Sequence, residues 1–135
     1  MIVTTDIANI LYKDCKALGI GVYQGGNIPD EHKELSSERV IILTKSQSPE
    51  TYWKKGFVEV NLCVPDMDGD ANLIRLQELE RKAQEVLDNK VGKFDGSVYR
   101  YSVYSIGTEE DAELRCHYVN VRVLFEVLNV KRLEI

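Results

Sequence analysis

The chain has 135 residues, 44% of them hydrophobic and 29% charged, with 17 Lys and Arg against 22 Asp and Glu for a formal net charge of -5. That size fits one globular domain over residues 1–135, able to bury a core without a disulfide or metal staple. The absence of an 18-residue apolar run excludes a membrane-spanning helix, the first residues (Met1 to Asp6) show no secretory signal, and the net acidity argues against a nucleic-acid binder with a broad basic face.

Residues 6–18 are predicted helical, with Asp6 as cap, Ile7, Ile10, Leu11 and Leu18 at helical spacing, and Gly19 as the stop. Ile20 to Tyr23 reads as a short first strand. A polar segment from Gln24 to Glu38 follows, longer than an ordinary connection, which marks a functional or mobile loop. Val40-Ile41-Ile42-Leu43, within Arg39 to Lys45, is the continuous apolar run of a strand covered on both faces, and Ser48-Pro49-Glu50 reads as a turn. From Phe57 to Val64 the pattern alternates, Val58, Val60, Leu62 and Val64 pointing one way, Glu59 and Asn61 the other, until Pro65 ends the run.

The loop Asp66 to Asp70 leads into a second helix over about residues 71–88, striped with Leu73, Leu76, Leu79, Ala83, Val86 and Leu87. A turn region spans Gly92 to Gly96. Two strands close the chain: Ser97 to Ile106, then Leu114 to Val130 with Val119, Val121, Val123, Phe125 and Val127 alternating against Asn120, Arg122 and Glu126. Gly107 to Asp111 is expected to be the turn between them. The order α-β-β-β-α-β-β predicts an α+β fold, a mainly antiparallel sheet with helices on one face and a long C-terminal hairpin. The last strand would be about 55 Å long at 3.3 Å per residue, whereas the second helix covers about 27 Å at 1.5 Å per residue. Either a bulge near Asn120 splits that strand, or part of the hairpin projects and offers its edge to another chain.

No constellation points to catalysis. Asp66, Asp68 and Asp70 alternate as in a calcium loop, but Gly69 precedes the third acid and Gln77 stands where the bidentate Glu belongs, so these acids are expected to cap the helix instead. Cys15, Cys63 and Cys116 are odd in number and far apart, which fits packing residues in a reducing, cytoplasmic setting. Cys116 and His117 are neighbours and would point to opposite sides of a strand, so they form no nucleophile–base pair. Zinc ligands at paired spacing are missing, and Gly19 to Gly26 does not match a dinucleotide fingerprint. The expectation is therefore a protein that is not an enzyme and holds no metal or cofactor. Tyr52-Trp53 beside Lys54-Lys55 reads as a lid over a sheet edge or an interface anchor.

The run Gly56-Phe57-Val58-Glu59-Val60-Asn61-Leu62-Cys63-Val64-Pro65, the helix Ala71 to Asp88 after an acidic turn, and the strands Tyr101 to Ile106 and Val119 to Val127 resemble, in order and size, the small tail-terminator or tail-completion proteins of long-tailed bacteriophages and prophages. The likeness spans most of the chain and lies in element order; that family has no catalytic signature. It implies a ring, usually a hexamer, on the head-proximal end of the tail tube, which stops tube polymerisation and meets the head–tail connector. DNA would pass through the lumen without sequence reading, and the protein would be cytoplasmic during assembly and then part of the virion tail. The Gln24–Glu38 segment has no place in the family pattern. Residues expected to be exposed at an interface are Tyr52, Trp53, Tyr99, Tyr101, Tyr118, Arg122 and Leu124. The alternative is a small monomeric α+β module that grips a ligand or peptide on its sheet face.

Overall fold

A computed structural model describes residues 2–49 and 53–128. Helix α1 runs over Thr4–Cys15 and continues as a 3-10 turn, Lys16–Leu18. Strand β1 is Val22–Gln24, β2 Arg39–Pro49 and β3 Trp53–Pro65. Helix α2 is Leu73–Leu87, and β4 Lys90–Phe94, β5 Ser97–Asp111 and β6 Cys116–Leu128 complete the chain. Among the described residues the strands form one mixed sheet in the order β1-β2-β3-β6-β5-β4. The α+β class is as expected, with one more strand than the sequence pattern predicts.

Each helix owes its place to its apolar stripe. Ile7, Ile10, Leu11 and Cys15 of α1 and Leu76, Leu79, Ala83 and Leu87 of α2 are buried against Val58, Val60 and Leu62 of β3 and Val119, Val121, Val123 and Phe125 of β6. Leu73 drops out of the expected stripe and is 70% exposed. Gly19, at φ 75°, ends the first helical stretch in the left-handed region that glycine enters without cost. Capping differs from expectation at both helices. Asp6 sits inside α1 and its carboxylate accepts the Val3 N–H at 2.9 Å. At α2 the cap is Asn72, whose side chain accepts the Arg75 N–H at 3.2 Å. Asp66, Asp68 and Asp70 do not cap it, because Met67 and Asp70 bridge a tight turn through Asp68 and Gly69, both at positive φ.

Four strand expectations change. Residues 90–94 are a strand, closed onto β5 by the two-residue turn Asp95-Gly96, both residues left-handed at φ 50° and 79°. Strand β5 runs on through Gly107 to Asp111, so the turn lies at residues 112–115. Strand β6 is continuous from Cys116 to Leu128 and carries no bulge near Asn120; the irregularities among the described strands sit on β5 between Val103 and Ser105 and on β2 between Thr44 and Gln47. Ile41 and Leu43 are half-buried, so β2 is covered fully on one face only, where Val40 and Ile42 are at most 1% exposed.

Strand β1 pairs in parallel with β2, Val22 opposite Val40 and Gln24 opposite Ile42. Parallel neighbours require a crossover of about a dozen residues, and this accounts for the long polar segment between them. That segment is anchored. Leu35 N–H donates to the Leu114 carbonyl at 3.0 Å, Arg39 donates to the Pro29 carbonyl at 3.0 Å, and Arg75 grips Glu38 through two bonds of 2.7 and 2.9 Å.

Candidate interaction surface

Period-two alternation divides the sheet into two faces of different chemistry. The valines of β3 and β6 meet the helices. The intervening residues, Phe57, Glu59 and Asn61 on β3 with Tyr118, Asn120, Arg122, Leu124 and Glu126 on β6, lie on the face opposite and are all half-buried. The helix-side core contains none of them. One end of this face is roofed by the crossover segment, where Leu35 packs on Cys63 and Cys116 with Ile41, Leu114 and Tyr118 around them. The rest has no covering element among the described residues.

At its centre the Arg122 guanidinium lies 4.3 Å from the ring centre of Phe57 and 5.8 Å from that of Tyr104, and the two rings meet edge to face at 4.9 Å. Tyr104 is 61% exposed. Cation and aromatic faces attract through the ring quadrupole, and the pairing holds the Arg122 fork flat on the sheet. Around this stack the polar groups satisfy one another. Asn120 donates to Asn61 at 2.7 Å and to Glu59 at 3.3 Å, Lys45 pairs with Glu59 at 3.2 Å, and Glu126 receives both Arg100 and Lys55. The result is a preformed surface of mixed polarity, with an aromatic centre and four cations set against two carboxylates.

The expected interface residues divide. Tyr118, Arg122 and Leu124 share this face, as half-buried residues. Burial, followed by the neighbouring Glu109 carboxylate, pushes the Tyr118 hydroxyl up from its ordinary value. Tyr101 is corrected. It is 1% exposed, its ring stacked at 5.6 Å on Phe125 in the core and its hydroxyl donating to Asp14 at 2.6 Å. Tyr99 is half-buried and stacks on Phe125 at 5.3 Å, which puts it on the helix side rather than the open face. Tyr52 and the side chain of Trp53 lie outside what is described. Two residues central to the stack, Phe57 and Tyr104, were absent from the expected set. Phe57 was legible from its register with Glu59 and Asn61; Tyr104 is in step with Ser102, which lies opposite Leu124 on the open face, but which side of β5 is the open one is set only by its pairing with β6.

A second concavity, about 450 Å³, is lined by Glu34, Leu35, Asp66, Asp68, Glu110 and Arg115. Asp66 meets His117 Nδ1 at 2.7 Å. Among the described residues no group of three or more His, Cys, Asp or Glu side chains is arranged to hold a metal ion. The cysteines are all free and buried. Burial pushes the Cys15 thiol up to about 12. Cys116 shares a hydrogen bond with Cys63, which lowers Cys63 and raises Cys116. Among the described residues no helix is long and apolar enough to cross a membrane.

No protein-family model matches the chain, and no curated protein matches it. One solved structure, which carries a sequence label in place of a descriptive name, is similar with a TM-score of 0.59 at 14% identity, over 93% of this chain and 93% of its own. At that identity the likeness concerns the fold alone.

Proposed function

We propose that this chain is a structural subunit of a phage or prophage tail, assembling into a ring at the head-proximal end of the tail tube, where it ends polymerisation and joins the tube to the head–tail connector. The observation that carries this reading is the helix-free sheet face with its preformed Phe57–Arg122–Tyr104 stack, on a hairpin that outruns its helix. Strand β5, with 15 residues, extends about 50 Å at 3.3 Å per residue. Helix α2, also 15 residues, covers about 22 Å at 1.5 Å per residue. A sheet with that much uncovered strand gains by burying it against further subunits. In this reading the partners are copies of the chain, a tube protein and a connector protein, DNA passes through the lumen without sequence recognition, and assembly takes place in the cytoplasm.

The test is the solution mass by light scattering at two protein concentrations, with negative-stain images of the same samples. A closed ring, with a mass that is a multiple of 15.4 kDa, supports the proposal. A monomer at both concentrations that also fails to bind isolated tube ends overturns it and favours a monomeric module that holds a ligand or peptide on the same face.

A further inference from the structure

The end strands of the sheet, β1 and β4, are short and cover the outer edges of β2 and β5 only in part. Strand β1 pairs with β2 from Val40 to Ile42, and the Gly25 N–H closes on the Ile42 carbonyl. Among the described residues, the outer edge of β2 therefore has no partner strand from Leu43 to Pro49, although the register with β3 shifts between Thr44 and Gln47 and the Lys45 carbonyl accepts the Gln47 side-chain amide at 3.1 Å. Strand β4 pairs with β5 only from Ser97 to Tyr101, and the Val103 N–H is taken up by Asp88 at 3.1 Å. Among the described residues the outer edge of β5 has no partner strand from Tyr104 to Asp111. A bare edge is a row of backbone donors and acceptors ready to pair with another strand.

The two edges differ in charge. Lys45 and Ser46 are exposed on the bare stretch of β2, with Lys55 on the strand beside it, whereas β5 carries exposed Glu109 and Glu110 followed by Asp111. They also differ in direction. Strand β2 is antiparallel to β3, β3 to β6, and β6 to β5, so β2 and β5 run in opposite senses.

We propose that the bare β2 edge of one copy pairs, antiparallel, with the bare β5 edge of a second copy, a head-to-tail contact that joins the sheets of neighbouring subunits. This rests on the ring assembly above and names the surface that makes it. Two copies related by rotation about the ring axis present β2 and β5 in opposite directions, as an antiparallel ladder needs. The like-with-like alternatives are disfavoured. Pairing β5 with β5 sets Glu109 and Glu110 against themselves, pairing β2 with β2 does the same for Lys45, and like charges facing across a ladder destabilise it. A contact between two different patches propagates around an axis and closes into a ring when the rotation permits.

The offset between the edges fits closure. The bare stretch of β5 is level with the start of β6 and β2, whereas that of β2 is level with the end of β6. The shift is about five residues, or about 16 Å along the strands, across four strands about 19 Å wide in total. Neighbours joined in this way incline their strands by about 40° to the ring axis, within the roughly 35–45° that closed sheets adopt.

The experiment uses two charge-reversed full-length chains. One carries Glu109→Lys with Glu110→Lys, so that both of its edges are basic; the other carries Lys45→Glu with Ser46→Glu, so that both are acidic. All four positions are exposed, and thermal melts check that each variant folds. The expected result is that each variant alone falls to the single-copy mass, while a one-to-one mixture regains the mass of the unaltered protein. Variants that keep the full mass alone, or a mixture that stays dissociated, overturn the edge pairing and leave the ring reading standing. An unaltered chain that stays monomeric up to about 1 mM, the range of effective concentrations reached by linked partners, and also fails to bind isolated tube ends overturns both. As a second readout independent of the variants, a zero-length carbodiimide cross-linker applied to the unaltered oligomer should join the Lys45 peptide of one copy to the Glu109–Asp111 peptide of another; cross-links that join only other pairs count against the proposal.

Discussion

Replacing Tyr101 with Phe removes one hydroxyl from the core and nothing else. The ring keeps its stack on Phe125 at 5.6 Å, but Asp14 loses the hydroxyl that donates to it at 2.6 Å. A hydrogen bond to a charged group contributes about 1.5–3 kcal/mol, and half-buried Asp14 can recover part of that from water, so a cost near the lower bound, about 1.5 kcal/mol, is expected at pH 7. Burial first, then the hydrogen bond to Asp14, raise the Tyr101 hydroxyl well above its ordinary value. Because the folded state holds this proton more tightly than the unfolded chain, the contribution of Tyr101 is complete below about pH 10, the ordinary tyrosine value, and falls by about 1.4 kcal/mol for each pH unit above it. Phenylalanine has no proton to lose. The advantage of the unaltered protein over Tyr101→Phe should therefore vanish near pH 11. Urea unfolding of both proteins at pH 7, 9, 10 and 11 measures it. A gap absent at pH 7, or one that stays constant between pH 10 and 11, would refute the reasoning.

Two local devices are open to similar tests. Arg75→Ala removes the two-bond grip on Glu38 that fastens the crossover segment to α2; with both partners partly exposed it is worth about 1 kcal/mol. Amide exchange over residues 25–38 should quicken about five-fold while the strands keep their protection, and an unchanged segment would show that Leu35 and Arg39 hold it unaided. Gly96→Ala puts a side chain at φ 79° in the β4–β5 turn. It should cost about 1 kcal/mol, read as a lower urea midpoint at unchanged slope, and no loss would mean that β4 adds little to the sheet.

Much of this fold is legible in the residues. The stripe Leu76, Leu79, Ala83, Leu87 can only be one buried helix face, and the valines of β3 and β6 alternate with polar residues so regularly that each strand declares which side meets the core. The open face could be read in the same way, since Glu59 and Asn61 carry Phe57 with them and Asn120 carries Arg122 and Leu124. Even β4 had a signal, because Asp95-Gly96 is the dipeptide that a two-residue hairpin prefers.

What the pattern could not decide was every relation between strands. Nothing in Val22-Tyr23-Gln24 says that it pairs in parallel with β2, so the crossover from Gln24 to Glu38 looked like an oversized loop. Tyr99, Tyr101 and Tyr104 are chemically alike. Alternation sets Tyr101 and Tyr104 on opposite faces, but only the pairing with β6 decides that Tyr101, opposite Phe125, is the one in the core; the shift between Val103 and Ser105 then turns Ile106 to the core side, opposite Val121. The charges on Lys45 and on Glu109 and Glu110 are plain in the chain, but that they border opposite open edges follows from the strand order alone. Periodicity records the surroundings of one strand; neighbours, register and edges belong to the assembled sheet, where side chains far apart in the chain compete for the same partners.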